Sequence, residues 1–201
     1  MLTKRYAVDL FKIHANYLDS FFNLRKIHYL KVPQKNILVA PLNWGLGHAT
    51  RCIPIIRNLE ECGFNPIVAS DGAALQLLKL EFPHLLFLEL PSYRITYPKK
   101  GKNFMWKMLQ SVPQMFLAIR NERKEVKKWV HIYKLSGIIS DNRLGVYNKN
   151  IPNVFITHQL NVLTGATTYL TTKMHKRIIN KFTECWVPDV EGKHNLSGKL
   201  G

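Results

Sequence analysis

With 201 residues, 46% of them hydrophobic and 21% charged, the chain can build one large globular domain with its own core, and its composition is not that of a disordered protein. No run of about 18 apolar residues occurs, and Lys4, Arg5, Asp9, Lys12 and Asp19 interrupt the N-terminus, so the sequence predicts neither a membrane-spanning helix nor a secretory signal. The net charge of +16 is unevenly placed: +5 in residues 1–35, −2 in 36–93, +9 in 94–134 and +4 in 135–201.

Basic charge of this size serves nucleic acid or an anionic membrane surface. Its concentration beside an apolar helical stretch favours the membrane surface over nucleic acid. Cys52, Cys62 and Cys185 are odd in number, far apart and in no metal-ligand spacing. They predict buried, reduced thiols, no metal site and a cytoplasmic protein.

In chain order, residues 1–35 form a basic N-terminal extension. Tyr17, Leu18, Phe21, Phe22 and Leu24 line one side of a helix if the segment folds, giving an amphipathic surface helix; the alternative is a poorly ordered leader. Val32 to Lys35 reads as a linker. Asn36 to Pro41 is a short apolar run rich in β-branched residues, the pattern of a buried parallel strand. A turn with Gly45, Gly47 and His48 follows, then a helix carrying Ile53, Ile56 and Leu59 that Gly63 stops. Glycines at such a turn let a ligand approach the backbone, and the helix start favours an anion. The plainer reading is a tight turn with His48 capping the helix.

Asn65 to Ser70 is a second strand, Ala73 to Phe82 a helix with Leu75, Leu78 and Phe82 inward, and Leu85 to Leu90 a third strand. Strands and helices alternating at this spacing predict an α/β fold, a Rossmann-like parallel sheet flanked by helices, with ligands beyond the carboxyl ends of the strands. A loop over 91–103 precedes a long helical stretch from Asn103, predicted to break near Ser111-Val112-Pro113. Its apolar residues, among them Phe104 and Phe116, pack on the sheet in one reading. In the other, Phe104, Trp106, Phe116, Arg120 and Lys124 form a lip that docks on anionic lipid. Ser136 to Ser140 is a fourth strand that delivers Asp141, Asn142 and Arg143 to its carboxyl end. Arg143 there is suited to a two-pronged contact with a phosphate or carboxylate; alternatively the three residues form an Asx-type turn with Arg143 in solvent. Asn153 to Thr157 is a fifth strand that leads into His158-Gln159-Leu160-Asn161. A helix with Lys173, Lys176, Arg177 and Lys181 outward and a short strand at Glu184 to Val187 complete the order.

Gly45-Leu46-Gly47-His48 and His158-x-x-Asn161-x-x-x-Gly165 resemble two motifs in the amino-terminal domain of two-domain (GT-B) glycosyltransferases, and specifically of family 28, the peptidoglycan N-acetylglucosaminyltransferase-like enzymes. The likeness spans about residues 36–190. It departs from the family in having fewer glycines in the first loop, and Ser140-Asp141-Asn142-Arg143-Leu144-Gly145 where the peptidoglycan enzyme has a second glycine-rich loop. That points away from the peptidoglycan lipid as acceptor. The resemblance implies sugar transfer from a nucleotide-sugar to an acceptor hydroxyl, a glycolipid or cell-envelope glycan, with inversion and with no cofactor or bound metal. It implies His48 as candidate base, Asn43, Gly45, Gly47, Asp141, Asn142, Arg143, His158 and Asn161 as substrate- and phosphate-binding residues, and a protein peripheral on the inner face of the cytoplasmic membrane. It also implies that residues 36–190 are an acceptor-side domain, that 191–201 begin the linker to a donor-binding domain, and that this chain alone is a truncated, inactive half.

Two other readings compete. In a dinucleotide-binding Rossmann protein taking NAD(P), Gly45-x-Gly47 would follow the first strand and Asp71 would hold a ribose, although Thr50 stands where a third glycine belongs. In a non-catalytic module, the basic helix would dock on a membrane beside an enzymatic partner chain. The sequence leaves the sugar and the oligomeric state open.

Overall fold

The computed structural model describes residues 2–6, 34–93, 104–161 and 168–189, with the backbone alone for 2–6, 104–112 and 170. The predicted helix over 17–24, the loop over 94–103, Gly165, the segment 191–201 and the side chains of Phe104 and Trp106 lie outside the described residues. Strands β1 (Leu2–Tyr6), β2 (Asn36–Pro41), β3 (Asn65–Ser70), β4 (Leu86–Glu89), β5 (Leu135–Asp141), β6 (Asn153–Ile156) and β7 (Glu184–Pro188) form one sheet in the order β1-β7-β6-β5-β2-β3-β4. Every pairing is parallel. Helices α1 (Gly47–Glu61), α2 (Gly72–Glu81), α3 (Phe104–Ile132) and α4 (Thr168–Ile179) cross over between strands.

Both faces of the sheet are covered, which is why the central strands read as continuous apolar runs. Ile37, Val39, Val68, Ile139, Val154, Ile156 and Trp186 pack on one face against Cys52, Ile55, Ile56 and Leu59 of α1 and Leu78 of α2. Leu38, Ala40, Ile67, Ala69 and Ile138 occupy the other face under Val126 and Trp129 of α3. Phe155, Cys185 and Val187 continue that face under Ile179 of α4. Burying one such aliphatic side chain contributes about 1.5–3 kcal/mol, so these clusters dominate the stability of the domain.

The α/β parallel sheet is as predicted, and two elements differ. Leu2–Tyr6, placed by the sequence in a helical or poorly ordered extension, is a strand that pairs with β7 from Leu2↔Glu184 to Tyr6↔Pro188. It covers backbone groups that an edge strand would otherwise leave open. The long helix does not break: α3 runs unbroken through Pro113, which is exposed, so the missing N–H costs least there.

The order of the strands fixes where a ligand would sit. From β2 the chain moves outward to β3 and β4, then returns across the sheet to β5 and continues to β6 and β7. The direction of winding therefore reverses between β2 and β5, whose last residues Pro41 and Asp141 are in register. Doubly wound sheets open a crevice at that point.

Candidate active site

His48 stands on the first turn of α1, just past the end of β2, and Asp141 is the last residue of β5. Their adjacency follows from the β2–β5 pairing. His48 Nδ1 lies 3.0 Å from Asp141 Oδ1 and 3.0 Å from Arg51 Nη2. Arg51, one turn further along α1, donates from Nε to Asp141 Oδ2 at 3.0 Å and from Nη2 to Asp141 Oδ1. Cys52 Sγ approaches the same carboxylate at 3.8 Å. Asp141 is fully buried, while the side chains of His48 and Arg51 are 13% and 19% exposed. A buried carboxylate needs partners, and the Arg51 guanidinium supplies the balancing charge. Arg51 can only donate, so at Nδ1 the imidazole either donates to Asp141 or accepts from Arg51. The thiol of Cys52 is pushed up by burial and then by the Asp141 charge, and stays protonated.

Arg143, expected at a substrate phosphate or in solvent, is in neither place. It is fully buried beneath the crevice. Its guanidinium donates to Glu122 Oε1 at 2.8 Å, to the Pro41 carbonyl at 3.0 Å and to Asp71 Oδ1. Glu122 on α3 is also fully buried and accepts from the Tyr93 hydroxyl at 2.7 Å and the Gly145 N–H at 3.0 Å. Burial pushes the Glu122 carboxyl up, while Arg143 and these donors pull it back. A Cβ on Gly145 would come within 2.6 Å of Glu122 Oε2, so only glycine lets the turn pass this close to α3. Asn43 is also occupied: its Oδ1 accepts from the Ala74 N–H at 3.1 Å and its Nδ2 donates to Asp71 Oδ2 at 3.3 Å, so it caps α2 across the crevice. Asp71 leaves that cap to Asn43 because Arg143 holds its carboxylate. The NAD(P) reading thereby loses the acid it needs at a ribose. Tyr93 lies in the 91–97 segment that the sequence marks as a strand end facing the crevice, whereas Glu122 was missed by sequence reasoning, since an acid on a strongly basic helix carries no visible signal.

The rim above is open. Gly45 has φ +76, a conformation suited to glycine, and it carries the chain from β2 over to α1. Trp44, Gly45, Leu46 and Gly47 are exposed, and no side chain caps the start of α1. Trp44 meets Tyr93 edge-on at 6.5 Å. Asn142 has φ 62, which Asn tolerates, and its Oδ1 accepts from the Thr157 hydroxyl at 3.2 Å. His158 follows β6 and is exposed, and Asn161 is half-buried. Partial burial, then the Arg51 charge and the neighbouring His48, hold the His158 imidazole below the usual histidine range. That places His158 in the same electrostatic cluster as His48. His175 on α4, also unflagged by the sequence, donates from Nε2 to the Gln159 carbonyl at 2.9 Å and anchors this loop.

Solved structures similar to this chain include two-domain glycosyltransferases. One is the calicheamicin glycosyltransferase CalG4, at 13% identity and a TM-score of 0.48, over 72% of this chain and 37% of that one. Another is Phytolacca americana UGT2, solved with UDP-2-fluoro-glucose and pterostilbene, at 14% identity and a TM-score of 0.44, over 64% and 32%. Acinetobacter baumannii MurG matches at 12% identity and a TM-score of 0.43, over 77% and 41%. The chain spans about a third to two fifths of the length of these proteins. No family profile and no curated protein matches the sequence. These likenesses concern the fold; the functional case rests on the residues at the crevice.

Proposed function

We propose that this chain is the acceptor-side domain of an inverting glycosyltransferase that uses a nucleotide-sugar donor. The observation that carries the reading is His48 Nδ1 at 3.0 Å from the fully buried Asp141 at the topological switch point. In this reading the imidazole donates from Nδ1 to Asp141, and its Nε2 lone pair is the one free to act as base. Nε2 then takes the proton of an acceptor hydroxyl as that oxygen bonds to the anomeric carbon. The bond from that carbon to the nucleoside diphosphate breaks on the opposite side, and the diphosphate departs with the electron pair. Asp141 steadies the imidazolium that forms. The exposed turn at Gly45–Gly47 and the uncapped start of α1 offer backbone N–H groups to a phosphate, and Asn142, His158 and Asn161 line the acceptor side. Asn43, Arg143 and Asp71 are the supports beneath. The donor half of the cleft belongs to a second α/β domain, so the 201-residue chain alone should show negligible turnover.

A glycolipid or envelope-glycan acceptor fits a domain docked on the inner face of the cytoplasmic membrane. Phe116 and Leu117 on α3 are 44% and 58% exposed, beside exposed Arg120 and Lys124, which supports the docking lip over core packing at these positions. Among the described residues no helix is long and apolar enough to cross a membrane. In a protein joining this chain to its second domain, His48→Ala should lower kcat with nucleotide-sugars by on the order of 10²–10⁴. A loss below roughly tenfold would remove His48 as the base, and turnover by the isolated chain would refute the division of the cleft.

A further inference from the structure

We propose a second ligand site, for a clustered-phosphate anion, at the amino edge of the sheet, away from the crevice. The C-terminal turns of α3 and the connection from β5 to β6 enclose a cavity of about 410 Å³ with Arg123, Lys127, His131, Tyr147 and Lys149 in its lining. No carboxylate lines it. The Arg123 guanidinium lies over the Tyr147 ring at 4.9 Å, and the Lys181 ammonium reaches the same ring at 5.9 Å. Among the described residues, no ion pair joins Arg123, Lys127, Lys149 or Lys181 to a carboxylate. By contrast Arg51, Arg57 and Lys128 each have one and Arg143 has two.

Positive charges gathered without an anion repel one another, and a multiply charged anion relieves that repulsion. The wall that carries Lys149 is fixed in advance. Asn153, 1% exposed, donates from Nδ2 to the carbonyls of Asn148 and Ile151, both at 2.8 Å, and Asn148 Oδ1 accepts from the Asn150 N–H at 2.9 Å. Stacked on Tyr147, Arg123 is held with its planar fork available to phosphate oxygens. The cavity falls in the size range of small-molecule sites and exceeds what a single phosphate fills. The ligand class is therefore a compact group of two or three phosphates, either on a soluble molecule or crowded at an anionic lipid surface. The site stands without the transferase reading, since it shares no residue with the crevice.

The test measures binding of inorganic tripolyphosphate to the 201-residue chain by calorimetry at about 0.15 M salt, where weak surface attraction is screened. In parallel, the chain is sedimented with phosphatidylglycerol and with phosphatidylcholine vesicles. Lys127→Glu with Lys149→Glu should weaken binding by roughly tenfold or more, and the milder Lys127→Gln with Lys149→Gln should move it in the same direction. Lys173→Glu with Lys176→Glu on α4 changes net charge equally and should leave binding within about twofold. Loss confined to tripolyphosphate assigns a soluble ligand, and loss confined to phosphatidylglycerol assigns the lipid surface. Equal loss in the α3 and α4 variants, or no binding of either probe to the unaltered chain, would overturn the site.

Discussion

Arg143→Met tests whether the buried ion pairs beneath the crevice hold the domain together. The substitution keeps a long apolar stem but removes the only cation among the described residues that pairs with Asp71 and Glu122. Both carboxylates are buried, and among the described residues each keeps only neutral donors: Asn43 for Asp71, and Tyr93 with the Gly145 N–H for Glu122. Removing one partner of a buried pair costs about 3–5 kcal/mol. For a chain of this length that lowers Tm by roughly 6–20 °C. The sign of the pH dependence follows from Glu122, whose carboxyl is raised by burial. A carboxyl raised in the folded state contributes stability that is complete below its unfolded value and is lost as pH rises through the folded value. Without Arg143 the carboxyl rises further, so the deficit of the variant should widen toward about pH 8 and shrink toward about pH 4. Urea unfolding followed by circular dichroism at both pH values gives the two deficits. Adding Glu122→Gln to Arg143→Met should recover part of the loss, because one uncompensated charge is gone. A deficit below about 1 kcal/mol, or one independent of pH, would refute the network as a structural element.

The remaining predictions address thiols, the histidine cluster and the α3 surface. Cys52 is fully buried and the Cys185 thiol is pushed up to about 12, so Ellman's reagent on the native chain should titrate Cys62 alone and reach all three thiols only after denaturation. Early reaction of all three would show that the core opens locally. Arg51→Gln removes a positive charge that depresses His158, so its imidazole pKa, read from NMR titration of the ring Cε1–H, should rise toward the usual range. An unchanged value would separate His158 from the His48 cluster. Phe116→Glu with Leu117→Glu should weaken sedimentation with anionic vesicles while leaving the thermal midpoint unchanged, since both side chains are exposed. Binding equal to that of the unaltered chain would dismiss the docking lip.

How far the sequence was legible depended on whether a residue's partner was local. The central strands β2, β3, β5 and β6 could be read because each is an apolar run buried on two faces, and α2 because Leu75, Leu78 and Phe82 repeat with the helical period. Strand β1 could not be read that way. Leu2–Tyr6 owes its conformation to pairing with β7, more than 180 positions away. Pro113 misled for the opposite reason: a local rule predicted a break, yet α3 runs on through this exposed position. At the site, Gly45 and His48 stood out because turn chemistry is local. Glu122 and His175 did not, since each acquires its role from a contact with a distant element.

Asp141, Asn142 and Arg143 show the division most clearly. All three were assigned to substrate because they cluster after a strand, yet the strand itself sends them in different directions. Side chains alternate across a sheet, so Asp141 shares the face of Ile139 and meets α1, where Arg51 and His48 wait. Asn142 then turns the chain through φ 62, and Ser140, on the opposite face, donates its hydroxyl to the Arg143 carbonyl at 2.7 Å. That turn directs Arg143 to the α3 side, where Glu122 and Asp71 enclose it. One carboxylate is thus delivered to the crevice beside His48 and one guanidinium to the foundation by the same three-residue turn. The pairing of β2 with β5 sets the first, and the closeness of α3 at Gly145 sets the second. An altered register between β2 and β5 would separate His48 from Asp141.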